Sequence, residues 1–273
     1  RTPINPNRGE RELPDWIQCA IDDGRIVRTF LVGGDYININ TADDIELAGR
    51  ALLQDLVRRP EPELMEREEQ AAAYAAADLT EFQQSLVDVL RDRLPDCRPR
   101  RVLDIGCGTG DMTRRVARAF PEAMFVGVDG SSAMLSEGRR QVSAAGLDAR
   151  IRLEERRLPD ESVASGFDLI IANSVLHHLE DPHTLWRTVR AAGAGVDVMV
   201  TDLRRPSCEF ELRRLVETHA AEAPPVLRVD FARSLAAAYR PEEIWQQLKA
   251  AQLPHFCVEL IGDTHVAVWG TVR

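Results

Sequence analysis

From Arg101 onward the chain alternates short apolar, β-branched runs with longer stretches whose apolar residues recur every three or four positions. The runs predict strands at 101–105, 124–129, 150–154, 167–172 and 196–202. The stretches predict helices at 111–119, 132–145, 182–191 and 241–251. Such alternation predicts a doubly wound α/β fold with a mostly parallel sheet. Two last runs, Phe256 to Ile261 and His265 to Trp269, are separated only by Gly262-Asp263-Thr264, a gap short enough for an antiparallel hairpin at the sheet edge. Upstream, residues 63–94 are strong helix formers with Tyr74, Leu79, Phe82, Leu86, Val89 and Leu90 at helical spacing. Residues 1–60 read differently: extended segments at 26–32 and 36–39, then a helix capped by Thr41. Arg58-Arg59-Pro60-Glu61-Pro62 breaks that helix and marks a linker. The expected division is therefore a small N-terminal segment, 1–60, and an α/β domain, 61–273.

Composition narrows the class. A length of 273 residues suits one or two domains, and 44% hydrophobic residues with a net charge of −10 describe a globular chain. The acidic balance does not favour nucleic acid or an anionic membrane as a partner. Five cysteines (Cys19, Cys97, Cys107, Cys208, Cys257) form no Cys-x-x-Cys pair, which argues against disulfide and zinc frameworks and for a reducing, cytoplasmic setting. No apolar run reaches the length of a membrane span.

The chemistry is concentrated at the end of the first predicted strand, in Val102-Leu103-Asp104-Ile105-Gly106-Cys107-Gly108-Thr109-Gly110-Asp111. Ligands of open parallel sheets bind at this carboxyl end. Glycines there let the backbone turn and approach a ligand without a Cβ in the way, and Asp111 is placed to cap the next helix. An ordinary strand-to-helix turn would account for the glycines alone. Asp129 at the end of the second strand adds a carboxylate that can accept from both hydroxyls of a ribose. The Gly-x-Gly-x-Gly spacing differs from the dinucleotide and P-loop patterns.

These residues, with Val128-Asp129-Gly130-Ser131-Ser132-Ala133-Met134-Leu135, Gly166-Phe167-Asp168-Leu169-Ile170 and Asn173-Ser174-Val175-Leu176-His177-His178-Leu179, resemble class I S-adenosylmethionine-dependent methyltransferases over about residues 63–273. The resemblance implies a seven-stranded sheet with an antiparallel last strand. It also implies that Asp104, Gly106 and Gly108 hold the methionine end of S-adenosylmethionine and Asp129 its ribose. Gly130 and Met134 would pack near the adenine, and Asn173 would lie beside the cofactor. Tyr74 matches a helix that often covers the cofactor in that family, although a core aromatic on an amphipathic helix would explain it equally. Where the family often carries an Asp for the adenine amino group, this chain has Leu153-Glu154-Glu155-Arg156-Arg157, so Glu155 or Arg156 falls near that position within a solvated charge run.

For the acceptor, the resemblance points to His177 and His178 after the fourth strand and to Asp202 at the end of the fifth. An imidazole there can orient or deprotonate an O or N nucleophile, but two neighbours on a helix lie about 100° apart, so one would face a pocket and the other serve the structure. Asp202 could equally cap the turn before Pro206. The insertion at 203–240 carries Arg204, Arg205, Arg213, Arg214, Arg228, Arg233 and Arg240, which either grip an anionic acceptor or pair with Glu209, Glu211, Glu217 and Glu222 on a solvated face.

Residues 12–57, including Tyr36-Ile37-Asn38-Ile39-Asn40-Thr41-Ala42-Asp43-Asp44-Ile45, are similar to the closing segment of sugar-phosphate nucleotidyltransferases. A lineage-specific cap on the methyltransferase is the competing reading. With the start at Arg1 rather than Met, the similarity leads to the expectation that this is the C-terminal part of a bifunctional polypeptide. The expected function is methyl transfer to a small-molecule acceptor. The alternatives are a non-catalytic cofactor-binding scaffold and, disfavoured by the glycine spacing, an NAD-type oxidoreductase.

Overall fold

The computed structural model describes residues 54–61 and 80–273. Tyr74, the helix after Thr41 and the extended segments at 26–39 lie outside them. Seven strands run β1 (Arg101–Ile105), β2 (Met124–Asp129), β3 (Ile151–Glu155), β4 (Leu169–Asn173), β5 (Asp197–Leu203), β6 (Cys257–Ile261) and β7 (His265–Thr271). They form one sheet in the order β3-β2-β1-β4-β5-β7-β6. Strands β1 to β5 pair in parallel, and β7 runs antiparallel between β5 and β6. The seven-stranded, doubly wound sheet with an antiparallel last strand is therefore present, and the short turn at 262–264 closes the terminal hairpin.

Side chains one residue apart on a strand point to opposite faces, and the core divides accordingly. Leu103, Ile105, Ile170, Ala172, Val198 and Val200 meet α4 (His183–Ala191) and α7 (Pro241–Ala250) on one face. Val102, Leu169, Ile171 and Met199 meet α1 (Thr80–Arg93), α2 (Asp111–Ala119) and α3 (Ser132–Ala144) on the other. The predicted helices 111–119 and 241–251 are observed at 111–119 and 241–250.

The insertion takes a defined form, and one local expectation changes. The insertion after β5 is a helical hairpin of α5 (Glu209–Ala220) and α6 (Pro225–Ala237), with its own apolar seam of Leu203, Leu212, Leu215 and Leu235. His177 and His178 lie in a 3-10 turn, Leu176–His178, instead of opening an α-helix. The residue before a proline disfavours helical backbone, so the helix starts only at His183, beyond Asp181-Pro182.

The segment read as a linker is pinned to this hairpin. Leu56 enters the apolar seam, its N–H donates to the Ser207 carbonyl at 2.9 Å, and Asp55 bridges to Cys208. Arg205, 5% exposed, donates to the Leu56 carbonyl at 2.9 Å and grips Glu243 through both terminal nitrogens.

Trp186 is fully buried between α4 and α7, where its indole N–H donates to Gln247 Oε1 at 3.0 Å. Trp186→Phe keeps an aromatic ring but strands the buried amide oxygen. The expected loss is about 1–3 kcal/mol, read as a lower urea midpoint with an unchanged m value.

Candidate functional site

The sharp turn from β1 into α2 is made by three glycines in the left-handed region: Gly106, Gly108 and Gly110, with φ of 68°, 52° and 67°. Side chains rarely adopt that backbone. A Cβ on Gly106 would also overlap the side chain of Val175, and one on Gly108 would lie 3.1 Å from Met134 Cε. The loop is tied down by Gly106 N–H and Cys107 N–H, which donate to the Val128 carbonyl at 2.7 and 3.0 Å. Asp129 completes the tie, accepting from Gly108 N–H and Ser131 N–H, each at 2.8 Å. An ionised carboxylate offers about four acceptor positions, so this one keeps capacity for a ligand.

Behind the loop, Asp104 is 1% exposed and accepts from the Thr113 hydroxyl at 2.5 Å. Burial, with the Asp129 charge adding to it, raises its pKa to about 7. Burial raises Asp129 as well, against the pull of its backbone donors. Two carboxyls pushed up by burial on either side of the glycine loop favour a ligand that brings positive charge. Asp111 does not cap α2: Gly110 occupies the cap, and Asp111 pairs instead with Arg114 and Arg115 at 2.8 and 2.9 Å.

The remaining cofactor-side expectations lie around this loop. Gly130 sits between Asp129 and the α3 cap, Ser131, whose hydroxyl accepts from Met134 N–H at 3.2 Å. Asn173 ends β4, its Oδ1 accepting from the Thr201 hydroxyl at 2.7 Å. Glu155 and Arg156 are exposed at the end of β3. Arg156 N–H donates to the Asp129 carbonyl at 2.9 Å, while its guanidinium turns to Glu154 and Asp160, at 3.6 and 3.5 Å.

Val175 links the glycine loop to a second, histidine-rich cluster, because the next residues form the 3-10 turn. His177 and Asp202 are each 2% exposed, and His177 Nδ1 lies 2.5 Å from Asp202 Oδ1. The His177 N–H also donates to Asp202 Oδ2 at 3.2 Å, so one carboxylate holds both ring and backbone. Burial alone would raise the Asp202 carboxyl, but the attraction of His177 holds it below the usual range. The His178 ring stacks on His177, with centroids 4.0 Å apart, and its Nδ1 donates to the Glu61 carbonyl at 3.0 Å. Burial lowers His178 to about 4, as it does His265 on β7, and raises the Glu61 carboxyl. His177 is thus the ring fixed by an acid, and His178 the neutral neighbour. Asp202 serves the histidine and also accepts from its neighbour's N–H, Leu203, at 2.6 Å, so it does not cap the turn before Pro206.

The arginines of the insertion divide between structure and solvent. Arg204 pairs with Glu211 at 2.6 Å, Arg213 with Glu209 at 3.3 Å, and Arg240 with Asp55 at 2.6 Å. Arg228 and Arg233 are exposed. Sequence spacing gave no sign that Arg58 and Glu61 reach the histidine cluster, because the bonds that bring them there span more than a hundred positions. Among the described residues no cluster of His, Cys, Asp and Glu has the makings of a metal site, and no helix is long and apolar enough to cross a membrane.

Known proteins share this fold and part of this sequence. A family model described as a methyltransferase domain matches residues 103–194. The chain is 33% identical over 150 residues to a trans-aconitate 2-methyltransferase of Methylobacterium nodulans, covering 54% of this chain and 52% of that protein. It is 36% identical over 100 residues to a malonyl-[acyl-carrier protein] O-methyltransferase of Halalkalibacterium halodurans, covering 36% of this chain and 37% of that protein. The matched region thus spans about half or less of these curated relatives. A SAM-dependent methyltransferase from Aquifex aeolicus superposes with a TM-score of 0.53 at 16% identity, over 79% of this chain and all of its own. The plantazolicin methyltransferase BpumL, solved with SAH, superposes with a TM-score of 0.56 at 15% identity, over 76% of this chain and 89% of its own. The matched family model, the relatives and the shared fold agree in making this chain similar to class I S-adenosylmethionine-dependent methyltransferases.

Proposed function

We propose that the chain transfers the methyl group of S-adenosylmethionine to a small-molecule acceptor in the cytoplasm. The observation that carries this reading is the Asp129 carboxylate, fixed by two backbone donors beside a left-handed glycine loop and still able to accept from two ribose hydroxyls. Asp104, Gly106 and Gly108 would hold the methionine end, where raised acids suit a ligand whose sulfonium and ammonium outweigh one carboxylate. Gly130 and Met134 would flank the adenine, Glu155 or Arg156 would lie at its edge, Asn173 would stand beside the cofactor, and Tyr74 would cover it. When bound, the cofactor supplies an electrophilic methyl with a neutral thioether as leaving group.

The chain's own work is alignment, exclusion of water and, for a hydroxyl or amine acceptor, removal of a proton. With Nδ1 engaged by Asp202, His177 has Nε2 left to take that proton, and Asp202 stabilises the imidazolium that results. His178, neutral and bound to Glu61, shapes the wall beside it. The relatives named for trans-aconitate and malonyl-[acyl-carrier protein] support an acceptor outside nucleic acid and membrane. A non-catalytic scaffold is not favoured, because it gives no reason for a buried His–Asp pair next to the glycine loop. The similarity of residues 12–57 to nucleotidyltransferase ends supports a bifunctional polypeptide whose acceptor is a sugar or an activated phosphoalcohol. A full-length reading frame without such a sequence upstream overturns that part alone.

Three outcomes test the reading. Asp129→Ala is expected to weaken S-adenosylmethionine binding at least about a hundredfold by calorimetry, through loss of two hydrogen bonds to a charged group at about 1.5–3 kcal/mol each; unchanged affinity refutes the site. Cofactor affinity should fall as pH drops through about 7, because Asp104 then takes up a proton and ceases to attract a cation. In Asp104→Asn only the slope belonging to the ligand's own titration should remain. With an acceptor found by mass gain of one methyl group, His177→Ala should lower kcat about a hundredfold while leaving cofactor affinity in place.

A further inference from the structure

The 3-10 turn that carries both histidines is short, and such turns leave carbonyls without partners of their own. The carbonyl of His177, in the turn, and that of Leu179, just after it, point to the same place, and Arg58 fills it. Its terminal nitrogen donates to the His177 carbonyl at 3.0 Å and the Leu179 carbonyl at 3.2 Å, and its Nε donates to the Ala237 carbonyl at 2.6 Å. The guanidinium lies 4.0 Å from the centroid of the Tyr239 ring, whose hydroxyl donates to the same Leu179 carbonyl at 3.2 Å. Three residues later the Glu61 carbonyl takes the His178 Nδ1–H, and the Glu61 carboxylate accepts from Ser234 on α6 at 3.1 Å.

The strap that presents Arg58 is itself fixed. Arg205 donates to the Leu56 carbonyl from one side, and Arg240 holds Asp55 from the other. Arg59 N–H donates to the Ala236 carbonyl at 3.0 Å. Asp202 secures the imidazole end of His177, but it lies on β5 and within the turn it holds the ring and N–H of His177. The far side of the turn, the carbonyl side, is set by the strap.

The geometry points to Arg58 as a positioning residue for methyl transfer: by bracketing the carbonyls of His177 and Leu179 it fixes the turn that aims the His177 ring, and the strap 54–61 is thereby part of the acceptor side of the site. This rests on the function proposed above. A guanidinium is needed because only a planar, multiply donating cation can bond three carbonyls and lie on an aromatic face at once. Lysine has the charge but not the fork.

The test uses Arg58→Met and Arg58→Lys in the full chain, with three readouts: imidazole NMR signals of His177 and His178, assigned by their loss in His177→Gln and His178→Gln; calorimetric affinity for S-adenosylmethionine; and kcat with an acceptor found by screening. Both variants are expected to shift or broaden the two imidazole signals, to bind the cofactor within about twofold of the parent, and to lose about tenfold or more in kcat. Unmoved imidazole signals overturn the proposal, even if the thermal midpoint falls, since Arg58 is then an anchor of the strap and nothing more. If Arg58→Met does not fold, Arg58→Lys decides. A kcat near the parent's in a variant with moved signals also overturns it. The imidazole readout needs no acceptor, so failure of the methyltransferase reading, seen as unchanged cofactor affinity in Asp129→Ala, is distinguishable from failure of this one.

Discussion

The candidate site depends on one carboxylate placed where two strand ends and a left-handed loop meet. Without Asp129, the amide of Gly108 would face the site unpaired and the turn into α3 would lose the acceptor for Ser131 N–H. Its two backbone bonds do more than stabilise a turn. They fix the glycine loop after β1 relative to the start of α3 after β2, at the carboxyl end of the sheet, where open α/β sheets bind ligands. The cost is an acid drawn partly out of water and close to a second, fully buried one. Burial is what raises both carboxyls, and at Asp104 the nearby Asp129 charge adds to it.

A second acid performs the opposite task on the neighbouring strands. Asp202 is as buried as Asp104, yet it is held ionised because an imidazole and two backbone amides surround it. The same residue type thus lies above its usual pKa at the end of β1 and below it at the end of β5, and the difference comes from partners rather than from depth. Val175 joins the two environments, packing over Gly106 while leading into the histidine turn. The tight approach that requires a glycine at 106 is therefore also what brings the acidic loop and the His–Asp pair side by side.

Much of the fold was legible along the chain. The nearly continuous apolar runs Val102-Leu103-Asp104-Ile105 and Leu169-Ile170-Ile171-Ala172 report strands buried on both faces, and both faces are filled as the pattern requires. The run from Asp104 to Gly110 announces a ligand loop because its glycines answer to local backbone geometry, which neighbours in sequence largely determine. The two histidines, read as neighbours on a helix, fall instead in a 3-10 turn ahead of Pro182, and the helix expected at 182–191 starts at His183.

What the sequence determined by itself, then, is what short-range physics can encode: strands, helices, the turn chemistry of the glycine loop and the order that brings strand ends to one edge. The tertiary structure alone decided the partners of isolated charges. Arg58, Glu61, Arg205 and Asp202 carry no periodicity, and their bonds join positions from about 25 to more than 150 residues apart. A charge in a chain states only that it needs a counter-charge or a carbonyl; which one it finds is settled when the packed sheet and the helical hairpin bring those groups together.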